Sequence, residues 1–216
     1  QAKDPLEVFI ETFPESRWRP AIELNLAAKR FNRGYFSRAL AHWESAYNLA
    51  KNAEEPKGRA LGNSALAHLV RMNASLGRLE KMAPLLEEAE SRKLEGTAQQ
   101  MLETSKEARR VMEIHPDEAF KCGPYALGNV MEKTDAVARG NEGKKSAPPK
   151  EIREAKSTPR GFTFEEVSEL ASKVDYPHRL VKFDVKSAKK QIPVPSIVHW
   201  KLDHYGAILD RREADG

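Results

Sequence analysis

Two glycines, Gly34 and Gly77, each separate two stretches of helical periodicity, and the second arrangement repeats the first after 43 residues. Apolar and small residues recur at helical spacing before each glycine and again after it. Three residues that follow Gly34, namely Ala39, Trp43 and Ala46, have counterparts at the same offsets from Gly77 in Met82, Leu86 and Ala89. The pattern predicts stacked helical hairpins, because one such hairpin cannot bury its apolar face alone.

The succession of glycine, alanine, an aromatic residue and alanine resembles tetratricopeptide repeats, although the repeat length of that family is shorter, about 34 residues. A further helix from Thr97 to Ile114 is expected to end the stack. Residues 1–114 are therefore expected to form an N-terminal all-α domain of tetratricopeptide-like helical repeats. Two roles stay open for it: a surface that binds a peptide or partner, and a scaffold that covers the next domain.

After Pro116 the pattern changes to that of a mixed domain, which we expect to span residues 115–216. Cys122 stands at the predicted start of a helix, and the proline-interrupted polar segment 138–160 predicts a solvated loop. Thr163 and Glu166 have the spacing of a capping box at the start of another helix. Strands are predicted at 179–183, 196–200 and 204–209, and the last two are close enough for a hairpin. The fold class predicted for the whole chain is α+β.

Cys122 is the only cysteine in the chain, and it has two interpretations. A lone cysteine is often a small buried hydrophobic residue. At a helix N-terminus it is also a candidate nucleophile, because the helix amides stabilise a thiolate. We favour the nucleophile, since the following Gly123 and Pro124 favour a helix start at this point. A single cysteine has too few partners for a disulfide framework or a zinc site, so we expect neither a metal nor a cofactor.

Four segments in the second half, in their order along the chain, resemble the bacteriocin-processing, double-glycine cysteine peptidases, a bacterial branch of the papain-like fold. They are Cys122–Leu127 (CGPYAL), Gly161–Val167, Ile192–Trp200 and His204–Ile208 (HYGAI). The resemblance covers about residues 116–210. It implies a papain-like cysteine peptidase domain in which Cys122 attacks a peptide bond and His204 is the general base. His199 is a second histidine that competes for the role of the base. The implied partner is a peptide or protein segment, which includes a segment of the same parent polypeptide.

Two features depart from the pattern of that family. Pro116 stands where the family has a glutamine that helps to form the oxyanion hole, and acidic residues follow it. The family's orienting aspartate comes well after the histidine, whereas this chain ends twelve residues after His204. Asp210 and Asp215 are the later candidates, and of these we assign Asp210 to the role of the orienting aspartate. The remaining interpretations are an aspartate beyond Gly216 and a degenerate site.

These departures leave three functions open. The first is a cysteine peptidase that is slow or acts on a tethered segment. The second is a degenerate peptidase-like domain that binds peptides, with the helical repeats as a binding or assembly module. The third is a structural module of a larger extracellular protein.

Charge and hydrophobicity limit the classes of partner that we expect for this chain. The chain has 36 lysines and arginines against 32 aspartates and glutamates, without a basic face that contains interleaved aromatic residues, so we expect no nucleic acid. No apolar run is long enough to predict a membrane span.

The chain begins at Gln1, which we interpret as the start of a processed or excised segment. We expect a location in the cell envelope or outside the cell, and a cytoplasmic location stays open.

Overall fold

The computed structural model describes residues 3–138, 147–182 and 192–211. These residues are mostly helical and contain one two-stranded antiparallel sheet, so the predicted α+β class is confirmed. The chain divides into two compact units, Gln1–Arg110 and Val111–Gly216. The helices are α1 (Pro5–Thr12), α2 (Arg19–Asn32), α3 (Phe36–Ala50), α4 (Pro56–Ser75), α5 (Leu79–Ser91), α6 (Gly96–Ile114), α7 (Pro116–Ala119), α8 (Cys122–Ala138), α9 (Lys150–Arg153) and α10 (Phe164–Lys173), and the strands are β1 (Ser196–Trp200) and β2 (His204–Ile208).

The first unit contains the two predicted helical hairpins, α2 with α3 and α4 with α5. Gly34 and Gly77 lie in the turns of these hairpins with φ of 77° and 69°, a left-handed conformation that glycine adopts without steric cost. Trp43 is 3% exposed, and its ring stacks on that of His68 at a centroid distance of 4.9 Å. Leu86 is 2% exposed. Both side chains are therefore buried, as the helical spacing and the stacking of the hairpins require.

A buried carboxylate joins α2 to α3. Glu23 accepts hydrogen bonds from His42 Nδ1 at 2.6 Å and Ser45 Oγ at 2.8 Å, and Arg19 Nε lies 3.4 Å from the same carboxylate. Burial by itself raises the pKa of Glu23, but the hydrogen bonds from His42, Ser45 and Arg19 outweigh it and lower the pKa below its ordinary value. Glu23 is therefore a charged group whose cost of burial is offset by three donors.

Helix α1 was not predicted from the sequence, and ion pairs hold it against α2. Asp4 caps α1 by accepting a hydrogen bond from the Leu6 amide, and its other carboxylate oxygen lies 2.5 Å from Lys29 Nζ. Glu7 pairs with Arg30, a buried arginine of α2. Within the described ranges, no helix combines the length and the apolar character needed to cross a lipid bilayer.

In the second unit, α8 contacts α9, α10 and both strands. The core between them contains Ala126, Leu127, Ile152, Val167, Leu170, Ala171 and Tyr205. Thr163 and Glu166 form the predicted capping box at the start of α10. The predicted hairpin is also present, since β1 pairs with β2 in antiparallel register.

Two details of the second unit differ from the sequence prediction. The segment 138–160 was expected to be a solvated loop, but its described residues include α9, and Ile152 on that helix is 2% exposed because it completes the core. The strand expected at 179–183 is irregular from Arg179 to Lys182, and Phe183 lies outside the described residues. Leu180 is 56% exposed, so the apolar residues that suggested a strand are not buried against the core.

Candidate functional site

Cys122 is the first residue of α8, as predicted, and its side chain is partly buried. Lys121 before it is 4% exposed and is held by two acceptors. Its Nζ donates to Glu118 Oε2 at 3.0 Å and to the Arg153 carbonyl oxygen at 2.8 Å. The Lys121 carbonyl oxygen accepts the amide of Tyr125 at 3.0 Å, which begins the hydrogen-bonded ladder of α8. Cys122 is thus placed where helix amides carry partial positive charge.

Gly123 allows the start of α8 to approach its neighbours closely. A Cβ atom at this position would lie 2.8 Å from Val167 Cγ2 and 3.3 Å from Phe162 Cβ. It would also lie 3.6 Å from Tyr205 Cδ2, an ordinary van der Waals distance. The glycine that follows Cys122 is therefore required by packing, and Tyr205 lies beside the Cys122 end of α8.

The register of the hairpin pairs His199 with Tyr205 and Trp200 with His204. Successive side chains of a strand point to opposite faces, so Tyr205 and His199 share one face while His204 and Trp200 share the other. The first face packs on the core through Tyr205, whose ring centroid lies 5.1 Å from that of Phe164. The exposed His199 lies at the edge of this face, with its ring centroid 4.5 Å from that of Tyr205. A Cβ atom on Gly206 would lie 3.2 Å from Nε1 of the Trp200 indole, which therefore covers the opposite face of β2.

Tyr205 is the most buried residue of β2, and its hydroxyl donates a hydrogen bond to the Phe162 carbonyl oxygen at 3.0 Å. Burial raises the pKa of Tyr205 to about 12, and negative charge on Cys122, Glu165 and Glu166 adds to the increase. Nothing in the sequence pattern distinguished Tyr205 as a site residue. Its only signal was the aromatic residue that follows the histidine in the HYGAI segment.

His204 begins β2, as predicted, and is partly buried. Burial lowers the pKa of His204 below 6.5, and the nearby His199 lowers it further, so the imidazole is neutral at pH 7. Cys122 and His204 lie on elements that contact each other, α8 and β2. Among the hydrogen bonds of the described residues, none joins the Cys122 thiol to the His204 imidazole.

The other groups expected around the thiol have different partners. Asp210 is exposed, and its Oδ2 lies 3.0 Å from Lys133 Nζ on α8. Asp215 lies outside the described residues. On α7, which begins at Pro116, Asp117 pairs with Lys156 at 3.0 Å. This segment, where the resembling peptidases carry a glutamine, therefore offers no side-chain amide as a donor.

No group of three or more metal-ligating side chains that could hold an ion occurs in the part of the chain that the structure describes. Comparison with known proteins also gives no assignment: no family model, no curated protein and no solved structure matches the chain.

Proposed function

We propose that residues 115–216 form a papain-like, peptidase-derived domain that binds a peptide segment without cleaving it. The observation that carries this proposal is the surroundings of Cys122: Tyr205 packs beside the thiol-bearing helix end, whereas no described hydrogen bond joins the thiol to His204. The four resembling segments support the derivation from a peptidase.

Cleavage of a peptide bond would require more than an accessible thiol. A nucleophilic cysteine needs a base within hydrogen-bond reach, which a third group usually orients. It also needs donors for the oxyanion, and the loss of one donor typically lowers turnover by about 100- to 1000-fold. Here the Cys122 helix start can supply backbone amides, but Pro116 replaces the glutamine and Asp210 pairs with Lys133. Each departure lowers the cleavage rate and leaves the surface for binding intact.

The α8 surface next to the thiol is suited to a peptide. Tyr125 follows Cys122 by three residues, which places both on the same side of the helix. Tyr125 is 62% exposed, although its neighbour Ala126 is buried. Exposed tyrosines are enriched at interfaces because the ring supplies apolar contact area and the hydroxyl a hydrogen bond. We place the bound peptide along Tyr125 and the partly exposed thiol.

The second candidate function is a slow cysteine peptidase that acts on a tethered segment. It is favoured by the position of Cys122 at the first residue of a 17-residue helix and by the neutral His204, which can accept a proton. Catalytic hydrogen bonds are often long in proteins without substrate and tighten when it binds. This candidate therefore predicts a Cys–His pair that forms only with substrate present.

One experiment separates the two candidates. A fluorescein-labelled peptide that contains a Gly-Gly sequence would be mixed with the full chain, and binding would be followed by fluorescence anisotropy and cleavage by mass spectrometry. We expect binding without cleavage, and an affinity loss of about tenfold in Tyr125→Ala, as for an interface tyrosine worth more than 1 kcal/mol. The matched control is Tyr35→Ala, which removes a tyrosine that is 50% exposed on the helical unit.

Each result has one meaning. Cleavage by the wild-type chain that disappears in Cys122→Ala would refute the non-cleaving domain and establish the peptidase. Equal affinity of the wild type and Tyr125→Ala would refute the placement of the peptide on α8. Alkylation by iodoacetamide at pH 6 gives an independent measure, since only an activated thiol loses a large rate advantage in His204→Ala.

A further inference from the structure

A serine and a histidine form a close polar contact in the second unit, independent of Cys122. Ser168 lies on α10, and His178 follows that helix by five residues. Ser168 Oγ lies 2.6 Å from His178 Nε2, and His178 Nδ1 lies 2.8 Å from the carbonyl oxygen of Tyr176. The sequence pattern did not indicate this pair, because a chain reversal after α10 brings the two residues together.

The two contacts determine where the protons lie. A carbonyl oxygen only accepts hydrogen bonds, so Nδ1 of His178 carries the proton that it donates to Tyr176. In the neutral imidazole, Nε2 then has a free electron pair and accepts the hydroxyl proton of Ser168. In this arrangement the imidazole can take the proton of the serine hydroxyl, while an acceptor at its other nitrogen holds it in place. A serine nucleophile is activated in this way.

The histidine is held against α10 by its own segment. The amide of Tyr176 donates to the Ala171 carbonyl oxygen at 2.9 Å, which ties the reversal to the end of the helix. The Tyr176 hydroxyl lies 2.9 Å from Thr134 Oγ1 on α8. Pro177, between Tyr176 and His178, removes one backbone torsion from the segment. These restraints lower the entropy that the imidazole loses when it orients toward Ser168.

We propose that Ser168 and His178 form a nucleophilic dyad that accepts an acyl group from neutral, activated esters. Oγ of Ser168 forms a bond to the ester carbonyl carbon, while its proton moves to Nε2 of His178. The bond between that carbon and the leaving oxygen then breaks, and the leaving oxygen takes the proton from Nε2. The products are an acyl-serine and a free alcohol or phenol. Water that attacks through the same imidazole releases the carboxylic acid and restores Ser168.

The surroundings of Ser168 limit the substrate class. The amides nearest to it on α10 are already bonded, since those of Glu166 and Val167 donate to Thr163. The dyad therefore lacks a ready oxyanion hole, and only an ester with a good leaving group compensates for that loss. The charges next to the pair in the sequence have both signs, Glu165 and Glu169 on α10 and Arg179 after His178, so we expect a neutral acyl donor. A neutral aryl ester meets both conditions.

The test uses p-nitrophenyl acetate and the full chain, with acetylated residues located by mass spectrometry after brief incubation. Ser172 is the internal control: it lies one turn further along α10, is exposed, and its hydroxyl donates to the Ser168 carbonyl oxygen instead of to a histidine. General-base assistance is typically worth about 100- to 10,000-fold. We expect Ser168 to be acetylated about 100-fold faster than Ser172, at the lower end of that range.

His178→Gln keeps a polar side chain that cannot take the proton of the Ser168 hydroxyl. We expect this variant to acetylate Ser168 no faster than Ser172. Equal acetylation of the two serines in the wild-type chain would overturn the proposal without any variant, and so would an unchanged Ser168 rate in His178→Gln. Because the modified residue is located directly, acetylation of Cys122 is counted separately and does not affect either result.

Discussion

Truncation of Trp43 tests how the helical unit is held together. The indole is 3% exposed between the ring of Phe31, at a centroid distance of 5.7 Å, and that of His68, on which it stacks within 4° of parallel. Its Nε1 is buried without a hydrogen-bond partner among the described residues. Trp43→Ala therefore removes packing without removing a hydrogen bond. Because it also removes a buried donor that has no partner, the measured loss of stability is a lower limit for the apolar contact.

The magnitude follows from the buried area. A buried aromatic side chain removes about 150–250 Å² from water. At about 25 cal/mol per Å² this area corresponds to about 4–6 kcal/mol, which is an upper limit because the unfolded chain already buries part of its surface. Phe and Trp truncations in protein cores cost about 3–5 kcal/mol. We expect Trp43→Ala to lower the free energy of unfolding of the helical unit by about 3–5 kcal/mol.

Urea unfolding followed by helical circular dichroism measures this loss. With a slope of about 2 kcal/mol per M, the midpoint should fall by about 2 M. The matched control is Trp18→Ala, because Trp18 belongs to the same unit but is 59% exposed. We expect the control to change the free energy of unfolding by less than about 0.5 kcal/mol. A loss below about 1 kcal/mol for Trp43→Ala, or equal losses for the two variants, would refute the packing argument.

Three further predictions concern single groups. Because the pKa of Glu23 is lowered in the folded chain, its contribution to stability is present above the unfolded pKa near 4.5 and is lost as the pH falls through the folded pKa. In Glu23→Gln, the thermal midpoint should therefore fall less on acidification from about pH 5 to about pH 3, and an unchanged acid profile would contradict this. Gly123→Ala should cost about 1–3 kcal/mol in urea unfolding through overpacking against Val167, and the same substitution should cost less in a Val167→Ala background, where the clash is absent. An equal cost in both backgrounds would contradict the clash. In Tyr205→Phe, spectrophotometric titration should show one tyrosine fewer that ionises near pH 12, and a titration identical to that of the wild type would contradict the burial. The loss of the hydrogen bond to the Phe162 carbonyl oxygen should lower the free energy of unfolding by about 0.5–1.5 kcal/mol.

Helices α2 to α5 of the first unit were predictable because their signals are local, whereas α1 was not predicted. The spacing of Ala39, Trp43 and Ala46 places them on one face of α3, and Gly34 permits the left-handed turn that precedes it. These features depend on residues a few positions apart. The capping box at Thr163 and the short connection of the β hairpin were predictable for the same reason.

Features that depend on distant partners were not predictable. The strand expected at 179–183 rests on an apolar pattern, and an apolar pattern forms a strand only where a neighbouring strand accepts its hydrogen bonds. Ile152 looked like a single apolar residue in a polar loop, yet it is buried because the core between α8 and α10 has space for it. The pairing of Ser168 with His178 likewise depends on the direction of the chain after α10.

The sequence resemblance does not determine how the Cys122 thiol and the His204 imidazole are placed relative to each other. The motif fixes only that His204 and Tyr205 are neighbours on a strand, and neighbours point to opposite faces. A shift of the hairpin register by one residue would exchange those faces. The Tyr205 side chain opposes such a shift, because its hydroxyl would lose the Phe162 carbonyl oxygen, and a buried polar group without a partner costs about 1–3 kcal/mol. The hydroxyl of Tyr205, which a phenylalanine lacks, thus stabilises the register in which the tyrosine packs beside Cys122.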